Sequence, residues 1–555
     1  MALFPRYLIF GLLFVFPAAQ AQLPHGGKPF PFSTLKSALR PIILNSFDLQ
    51  KAIDESLSSE SVSGKKPFKF AWNYSLDFSP ENSGVWTETA SGTRIWRLHL
   101  VSKGAYSLNV DFSQYQLKQG CMVFIYPPSQ DYFLGGFNHL NNNSSNTLPS
   151  TFVPGDEIVI ELQTDPGITD YGSLRIGSLA HAYIDVFNRK DGYFGRSGNC
   201  NVNIKCSEDK DVQLIKRAVC RIIFKTGAST ETCTGTLVNN VKEDTIPYLL
   251  TANHCIRFAG QANSAVFYFD YESDSCGSRD DTTFYSLAGS TILATSDSID
   301  FSLLRLSESP PETYKPYFAG WSLSTNPPTH AFCIHHPQGD VKKISIENDA
   351  ITAEYQNPIP SNLSWLTKMS VPEAFWRVIK WDTGTTEGGS SGSPLFNQDK
   401  LIVGNLTGGE AKCTNSVNDY FSKISMAWDH YPVSSKQLKY WLNPESKNIQ
   451  FLKGFNPFGE KDTSSIDTIE FAERFVIFPN PTTGITTFET DSLDTSGGIL
   501  AIYSLTGEKM AQFVILNNQR MTFDVSFLDQ GLYIMEFSKG SIQKRKRLMI
   551  IKQQK

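Results

Sequence analysis

The chain has 555 residues, which at about 150 residues per domain predicts three or four domains. Hydrophobic residues make up 40%, so each domain can bury a core, and 50 Lys+Arg against 55 Asp+Glu give a formal charge of −5. This balance excludes a globally basic nucleic-acid binder and a polyacidic tail. The nine cysteines are an odd count, so in an oxidising compartment one of them should lack an intramolecular partner.

The N-terminus predicts export. Arg6 precedes an apolar run over residues 7–19 that is too short to cross a bilayer. Ala19-Gln20-Ala21 then fits the small-residue rule for signal cleavage, so residues 1–21 are interpreted as a signal peptide rather than as a buried core segment. No later stretch is long and apolar enough to predict a membrane span. An exported protein is free to form disulfides.

Residues 22–95 are mixed, and from Trp96 to about Ala180 the pattern is strand-like. Residues 106–112 alternate with period two, and residues 121–126 and 157–162 read as further strands. No constellation of chemically active residues accompanies them. We therefore predict a β-sandwich-like N-terminal domain.

Eight of the nine cysteines lie in residues 196–455, where short strands alternate with Gly, Pro and Asn. One helix is predicted here, beginning at a capping box of Ser434 and Gln437 and stopped by Pro444. About 260 mainly β residues that end in one helix suit a pair of packed barrels.

Residues 456–472 have the composition of a linker. Residues 473–555 contain several alternating strands and predict a small immunoglobulin-like sandwich. The basic run at 544–547 is too short and isolated to indicate nucleic-acid binding, so a solvated tail is the better interpretation.

Three polar residues outside these patterns could carry chemistry. His254 adjoins a cysteine, but no second Cys or His follows at a ligand spacing, so no metal site is predicted. Asp300 opens an apolar strand, where a carboxylate is costly unless it accepts hydrogen bonds. Ser391 lies in a Gly-rich turn, whose backbone N–H groups can converge as an oxyanion hole requires. Each residue alone would be interpreted as a turn or core residue.

Together the three residues favour nucleophilic catalysis. A serine needs a base to become a nucleophile, an imidazole can take its proton, and a buried carboxylate fixes the imidazole tautomer. The order His254, Asp300, Ser391 is that of chymotrypsin-like proteases, with one member on each of three loops. Three neighbours are disfavoured by their position in the motifs: Asp297, Ser390 and Ser393.

Residues 197–455 resemble the bacterial lysyl endopeptidases, a branch of the chymotrypsin-like serine proteases. The resemblance rests on Ser-Gly-Asn-Cys-Asn at 197–201, Cys-Thr-Gly-Thr-Leu-Val-Asn-Asn at 233–240, Tyr-Leu-Leu-Thr-Ala-Asn-His-Cys at 248–255, His-His-Pro at 335–337 and Gly-Ser-Ser-Gly-Ser-Pro at 389–394. It implies a mainly β, double-barrel domain without a cofactor. His254 would be the general base, Asp300 its orienter and Ser391 the nucleophile, with N–H groups of Gly389 and Ser391 as the oxyanion hole.

The resemblance also implies cleavage after a basic residue, preferentially lysine. Trypsin-like enzymes carry their specificity Asp six residues before the serine, but that position is Thr385 here. The lysyl endopeptidases use an Asp after the serine, in a segment similar to residues 418–420, so Asp419 is the candidate and a turn residue is its alternative. Thr407 stands where the family can carry a His. Because of that departure, arginine preference stays open, whereas a pocket carboxylate disfavours glutamate.

Family similarity suggests three disulfides, Cys200–Cys413, Cys206–Cys276 and Cys233–Cys255. By elimination Cys220 and Cys333 would form a fourth. Cys121 would be a single thiol in the N-terminal domain.

Residues 22–195 resemble the pro-region of these enzymes through residues 96–100 and 153–160. A folding chaperone or inhibitor is therefore expected, with a permanent binding module as the alternative and Lys190 and Arg196 as competing cleavage sites. Many animal proteases pair an Asp before the catalytic serine with the new N-terminus. Ser390 cannot form that ion pair, so activation is expected to depend on removing the pro-domain.

The last 80 or so residues resemble the type IX secretion sorting domain of Bacteroidota through Phe-Pro-Asn-Pro at 478–481, Leu-Asp-Gln-Gly-Leu-Tyr-Ile at 528–534 and the basic end. This implies passage through the periplasm, then release or attachment at the cell surface. A sandwich that binds a wall or glycan is the alternative. Expected partners are protein or peptide substrates and the secretion machinery, and the chain is expected to be a monomer. An inactive protease fold that serves as an adhesin is the competing hypothesis.

Overall fold

The computed structural model describes residues 22–32, 39–62, 67–187, 197–277, 284–352, 371, 373–459, 475–490, 498–504, 508–515, 520–539 and 542–552. The chain divides into two compact units, one that ends at Gly459 and one that begins at Glu460. The predicted signal peptide, Lys190, Arg196 and most of the predicted linker lie outside the described residues. No described helix is long and apolar enough to cross a membrane.

Residues 22–187 form two sheets around a buried interior. The strands are β1 Ile42–Ile43, β2 Phe68–Phe78, β3 Val85–Glu88, β4 Arg94–Val101, β5 Ser107–Leu117, β6 Cys121–Tyr126, β7 Leu134–Phe137, β8 Leu148–Pro149, β9 Val153–Pro154, β10 Glu157–Thr164 and β11 Gly172–Ala182. One sheet has the order β1-β4-β10-β6-β7 and the other contains β2-β11-β5-β8. The predicted strands at 106–112, 121–126 and 157–162 are confirmed as β5, β6 and β10. Helix α1, Leu49–Val62, was not predicted.

Residues 197–459 form the two-barrel region. Its strands are β12 Val202–Asn203, β13 Val219–Thr226, β14 Ser229–Leu237, β15 Tyr248–Thr251, β16 Val266–Phe269, β17 Tyr285–Ala288, β18 Ser290–Ser296, β19 Phe301–Leu306, β20 Trp321–Ser322, β21 Ala331–His335, β22 Lys343–Glu347, β23 Phe375–Lys380, β24 Pro394–Asn397, β25 Ile402–Gly409, β26 Val417–Lys423 and β27 Phe451–Leu452. Its helices are α2 Lys210–Ile215, α3 Ala259–Asn263, α4 Ile424–Asp429 and α5 Lys439–Leu442. Strands β13–β19 form the first barrel, and β12 with β20–β27 forms the second.

The N-terminal domain adds a strand to the first barrel. Strand β2 pairs antiparallel with β14, from Trp72 opposite Ser229 to Phe68 opposite Thr232. The sheet β17-β16-β13-β14 therefore continues through β2 into the N-terminal domain. Both parts lie within the first compact unit.

The C-terminal helix begins later than the sequence predicts. Ser434–Lys436 is a separate 3-10 turn, Gln437 is extended, and α5 starts only at Lys439. The Ser434 carbonyl accepts a hydrogen bond from Trp441 Nε1 at 2.9 Å. Because Leu438 is fully buried and donates its N–H to Ala427, tertiary contacts replace the predicted capping box.

The second unit is a small two-sheet domain. Its strands are β28 Phe475–Phe478, β29 Ile485–Thr490, β30 Ile499–Tyr503, β31 Lys509–Val514, β32 Arg520–Asp524, β33 Gly531–Lys539 and β34 Ile542–Ile550, in the orders β28-β29-β32 and β31-β30-β33-β34. The basic run lies in strand β34, so the expected tail is wrong, although its described basic side chains are solvated as expected. Lys546 and Arg547 are exposed, while Leu548 and Ile550 alternate into the core.

Candidate active site

Pairing of β15 with β19 brings His254 and Asp300 together. His254 follows β15, Asp300 precedes β19, and the strands pair with Thr251 opposite Ser302. His254 Nδ1 lies 2.9 Å from Asp300 Oδ2, and the His254 backbone N–H donates to Oδ1 at 3.0 Å. Asp300 has a φ of 59°, a left-handed conformation that is strained for a non-glycine residue. Such strain is found where the surrounding structure fixes a functional group.

The contact determines which nitrogen of His254 can act as a base. The histidine and aspartate side chains are 6% and 2% exposed. Because Nδ1 faces a carboxylate, it carries the proton, and Nε2 keeps its lone pair. Nε2 is buried and has no hydrogen-bond partner within the described residues. This nitrogen is therefore available to accept a proton.

The turn that carries Ser391 packs against the segment that leads to His254. The Ser391 carbonyl accepts the N–H of Thr234 at 2.8 Å. Gly392 has a φ of 82°, and a Cβ built there would lie 2.2 Å from Thr251 Oγ1 and 2.9 Å from the Ala252 nitrogen. Only glycine allows this close approach. The structure thus brings the turn of Ser391 to the first barrel, next to the end of β15.

The same turn presents two backbone N–H groups. Those of Gly389 and Ser391 have no acceptor within the described residues, whereas the intervening Ser390 N–H donates to Glu387 O at 3.0 Å. Gly389 has a φ of 91°, and a Cβ there would lie 2.8 Å from His336 O. Two N–H groups left free on one turn can stabilise an oxyanion.

The three disfavoured neighbours lie elsewhere. Ser390 Oγ lies 2.8 Å from His335 Nδ1, and Ser393 Oγ lies 3.0 Å from Cys333 Sγ, so both hydroxyls point into the protein interior. Asp297 is exposed. None of them lies in the position of a triad member.

Asp419 is buried next to the segment that leads to Ser391. It is 1% exposed on β26, and its Oδ2 accepts hydrogen bonds from Trp381 Nε1 at 2.7 Å and Thr386 Oγ1 at 2.6 Å. A Cβ on Gly409 would lie 2.3 Å from Asp419 Oδ1, so glycine keeps space beside the carboxylate. Sequence reasoning missed Trp381 and Thr386, because nothing in their spacing marks them as partners of Asp419.

Thr407 is wholly buried in β25. The pairing of β25 with β26 shifts register between Leu406 and Gly408, which places Thr407 at a β-bulge. Its Oγ1 has no hydrogen-bond partner within the described residues. Leu406 exchanges backbone hydrogen bonds with Gly392 and Ser393, so Thr407 directly follows the residue that anchors the serine turn.

Three of the four expected disulfides are confirmed: Cys200–Cys413, Cys206–Cys276 and Cys233–Cys255. The predicted Cys220–Cys333 pair is wrong. Both residues are free and buried. They belong to different hydrophobic clusters, Cys220 within the first barrel and Cys333 within the second. Burial raises the pKa of both thiols. Cys121 is also free and buried.

Comparisons with known proteins match two parts of the chain. A model of the lysyl endopeptidase C-terminal domain matches residues 194–422. A model of the secretion system C-terminal sorting domain matches residues 476–552. A lysyl endopeptidase of Pseudomonas aeruginosa is 27% identical over 367 residues, which cover 61% of this chain and 75% of the relative.

Solved proteases also match. The protease Anisep from Arthrobacter nicotinovorans is 14% identical and covers 37% of this chain and 90% of its own, with a TM-score of 0.27. The thermostable serine protease AL20 from an extremophilic microorganism is 13% identical, with coverages of 38% and 92% and a TM-score of 0.27. A Glu endopeptidase is 19% identical, with coverages of 38% and 85% and a TM-score of 0.24.

The described residues contain no group of three His, Cys, Asp or Glu side chains that could hold a metal ion. The two family matches fall in different compact units, the protease match in the first and the sorting-domain match in the second. The chain is a serine endopeptidase that is similar to the lysyl endopeptidases over residues 194–422, and its C-terminal sorting domain makes it a secreted or cell-surface enzyme.

Proposed function

We propose that the enzyme hydrolyses peptide bonds after basic residues, preferentially lysine, with His254, Asp300 and Ser391 as its triad. The observation that carries the proposal is the 2.9 Å contact between His254 Nδ1 and Asp300 Oδ2, which leaves Nε2 as the base. Ser391 Oγ attacks the scissile carbonyl as its proton passes to Nε2. The oxyanion accepts hydrogen bonds from the N–H groups of Gly389 and Ser391.

Collapse of the tetrahedral intermediate breaks the peptide bond. His254 donates its proton to the leaving amine, and the acyl group stays on Ser391. Water then loses a proton to His254 and attacks the ester, which releases the carboxylate product and restores the serine. Asp300 stays ionised and stabilises the imidazolium in both halves of the reaction.

Asp419 is proposed to bind the substrate's basic side chain. Trp381 and Thr386 both donate to Oδ2, which orients the carboxylate and occupies that oxygen. A guanidinium binds best when it can pair with both carboxylate oxygens, whereas an ammonium is a compact point charge. The occupied oxygen therefore favours lysine over arginine. The name of the Pseudomonas relative, a lysyl endopeptidase, supports the same choice.

Residues 22–195 are proposed to be a pro-domain, after a signal peptide at 1–21, with the protease at 196–455, a linker at 456–472 and the sorting domain at 473–555. Pairing of β2 with β14 supports a chaperone or inhibitor role over an independent binding module. Cleavage at Lys190 or Arg196 would separate the pro-domain. The enzyme is proposed to act as a monomer on protein or peptide substrates.

Lysyl, arginyl and glutamyl chromogenic peptides test the proposal on the secreted enzyme. Lysyl substrates should be cut fastest, and Ser391→Ala should abolish turnover. Asp419→Asn should reduce kcat/KM for lysyl peptides by orders of magnitude, while Asp382→Asn, an exposed neighbour of Trp381, should not. Absence of turnover would support the adhesin hypothesis. Equal rates on arginyl and lysyl peptides would contradict the lysine preference.

A further inference from the structure

A buried histidine lies directly behind the serine turn. His335 Nδ1 lies 2.8 Å from Ser390 Oγ, and its Nε2 lies 3.1 Å from Ser345 Oγ. His335, Ser345 and Ser390 are all fully buried. Neither the triad nor the Asp419 site uses this histidine.

The hydrogen bonds around His335 have one consistent direction. Ser345 Oγ donates to Thr385 O at 2.7 Å, so it accepts from the Nε2–H of His335. Nδ1 is then an acceptor and receives the hydroxyl proton of Ser390. Ser390 Oγ in turn accepts the N–H of Glu387 at 3.1 Å. Every group is satisfied with a neutral imidazole, and burial lowers the pKa of His335 to about 3.

These hydrogen bonds stabilise the turn of Ser391 from the side that faces the protein interior. The Ser390 N–H donates to Glu387 O, and the Glu387 N–H donates back to Ser390 Oγ, which closes a tight loop. Gly389 and Ser391, which flank Ser390, supply the two free N–H groups. Together with the bonds that Gln338 and Thr234 make to neighbouring carbonyls of the turn, the bonds of Ser390 therefore help to fix the direction of both donors.

Glu387 also binds the segment that begins at Ser197. Its Oε2 accepts hydrogen bonds from the backbone N–H of Gly198 at 3.0 Å and from Asn201 Nδ2 at 2.9 Å. Both donors are amides, which the chain has whether or not it is cut before Ser197. None of the contacts of the turn described here needs a terminal ammonium.

We propose that His335 is a positioning residue that acts through Ser390 to hold the oxyanion turn, in the place of an ion pair with a new N-terminus. The inference rests on the proposed function, because its readout is peptide hydrolysis. It implies that the turn is formed without any charge at the N-terminus. Control of the precursor then depends on access to the cleft and not on assembly of the oxyanion hole.

Two amide substitutions separate the two nitrogens of His335. Asn places its carbonyl near the position of Nδ1 and can still accept from Ser390, whereas Gln reaches only the position of Nε2. We expect His335→Gln to lower kcat on lysyl amides about 10- to 100-fold with KM within twofold, because misdirecting a donor should cost less than the roughly 10²- to 10³-fold loss that follows its removal. His335→Asn should lose much less.

Ser390→Ala provides a second test that keeps the histidine. It should lower kcat like His335→Gln, and the double variant should be no worse than either single one, because both remove the same link. Ser391 should be titrated with a phosphonate, so that kcat refers to folded sites. A purely structural role would lower the titratable fraction and leave kcat per site unchanged, which would overturn the inference.

The N-terminal charge is tested directly. Carbamylation of the α-amino group of the secreted enzyme at mildly acid pH should leave kcat unchanged, and kcat should not fall as pH rises through about 8, where an α-amino group titrates. A loss in either experiment would overturn the inference. If wild-type enzyme cuts no peptide the proposed function fails, whereas an active wild type with fully active His335→Gln contradicts only the role of His335.

Discussion

Lys225 Nζ lies 3.0 Å from Asp111 Oδ2, and this ion pair joins the first barrel to the N-terminal domain. The two side chains are 11% and 16% exposed, and Lys225 also donates to Ser178 Oγ at 2.8 Å. Burial raises the pKa of Asp111 and lowers that of Lys225, while their mutual attraction opposes both shifts. At this interface, the buried charges of Lys225 and Asp111 therefore stabilise each other.

Asp111→Ala should strongly destabilise the full chain, because Lys225 is left buried without its carboxylate. Breaking such a pair typically costs about 3–5 kcal/mol. Urea unfolding of the Ser391→Ala chain, which lacks the proposed nucleophile, measures the change. Asp77→Ala is the matched control, since Asp77 pairs with Arg175 at the surface and should cost less than about 1 kcal/mol. Equal effects of the two substitutions would contradict a buried interface pair.

Glu308 should make the stability of the same chain depend on pH. It contacts Asn141 Nδ2 at 3.3 Å across the interface, near Tyr115 and Tyr314, and burial raises the pKa of Glu308 to about 7. A carboxyl with a raised pKa contributes stability that is complete below its unfolded pKa and is lost as pH rises through the folded value. The free energy of unfolding should therefore fall between about pH 4.5 and pH 7.

Glu308→Gln should remove this part of the pH dependence. The variant should match the wild type near pH 4 and exceed it at pH 8, in urea midpoints of the Ser391→Ala chain. Glu312→Gln, at an exposed position nearby, should change neither value. A constant difference between Glu308→Gln and wild type across this range would show that Glu308 does not titrate there.

Asp300→Asn should lower kcat on lysyl peptides about 10⁴-fold, because an amide favours the wrong tautomer of His254. KM should change little. Asp297→Asn, three residues away and exposed, should behave as wild type. Steady-state kinetics on both variants measures the difference, and a comparable loss in Asp297→Asn would reassign the orienting carboxylate.

Thr386→Val should weaken binding of lysyl substrates. It removes one of the two donors to Asp419 Oδ2, and a hydrogen bond to a charged group contributes about 1.5–3 kcal/mol, so kcat/KM should fall at least tenfold. Thr385→Val is the matched control, because Thr385 is equally buried but its Oγ1 has no partner within the described residues. If both variants fall together, the effect is one of packing and not of Asp419.

Thiol counting checks the cysteines. The denatured, unreduced full chain should react with three equivalents of a thiol reagent, at Cys121, Cys220 and Cys333. The native chain should react slowly, since burial raises the thiol pKa values. If only one thiol reacts after denaturation, Cys220 and Cys333 form a disulfide after all.

Local pattern predicted the elements whose residues decide their own structure. Residues 121–126 have the composition of a buried strand and form β6. Ser434 and Gln437 matched a helix start equally well, but the Ser434 carbonyl binds Trp441 and the helix starts later. A tertiary partner overrode the local signal there.

In the candidate site, too, some features follow from local sequence and others depend on tertiary contacts. Motif order and resemblance suffice to propose His254, Asp300 and Ser391 as the triad, because each is embedded in its own turn or strand end. Trp381 and Thr386 lie 38 and 33 residues from Asp419, and Ser390 lies 55 residues from His335, so these partners meet only through the tertiary fold. The sequence predicted the Cys220–Cys333 pair by elimination alone. Elimination takes no account of the two different hydrophobic clusters in which these cysteines are buried.

The pairing of β2 with β14 has a consequence for any form of the enzyme from which β2 has been removed. Its removal would open the edge of β14 over Ser229, Thr230, Glu231 and Thr232, where the backbone groups that face β2 would lose their partners. An open edge of this kind captures extended polypeptide by main-chain hydrogen bonding, without regard to side-chain sequence. A protease released in this form would bind extended polypeptide at two places: the active site, where it is cleaved, and the open edge of β14, where it is only bound. Its tendency to self-associate would then increase with the loss of its own N-terminal domain.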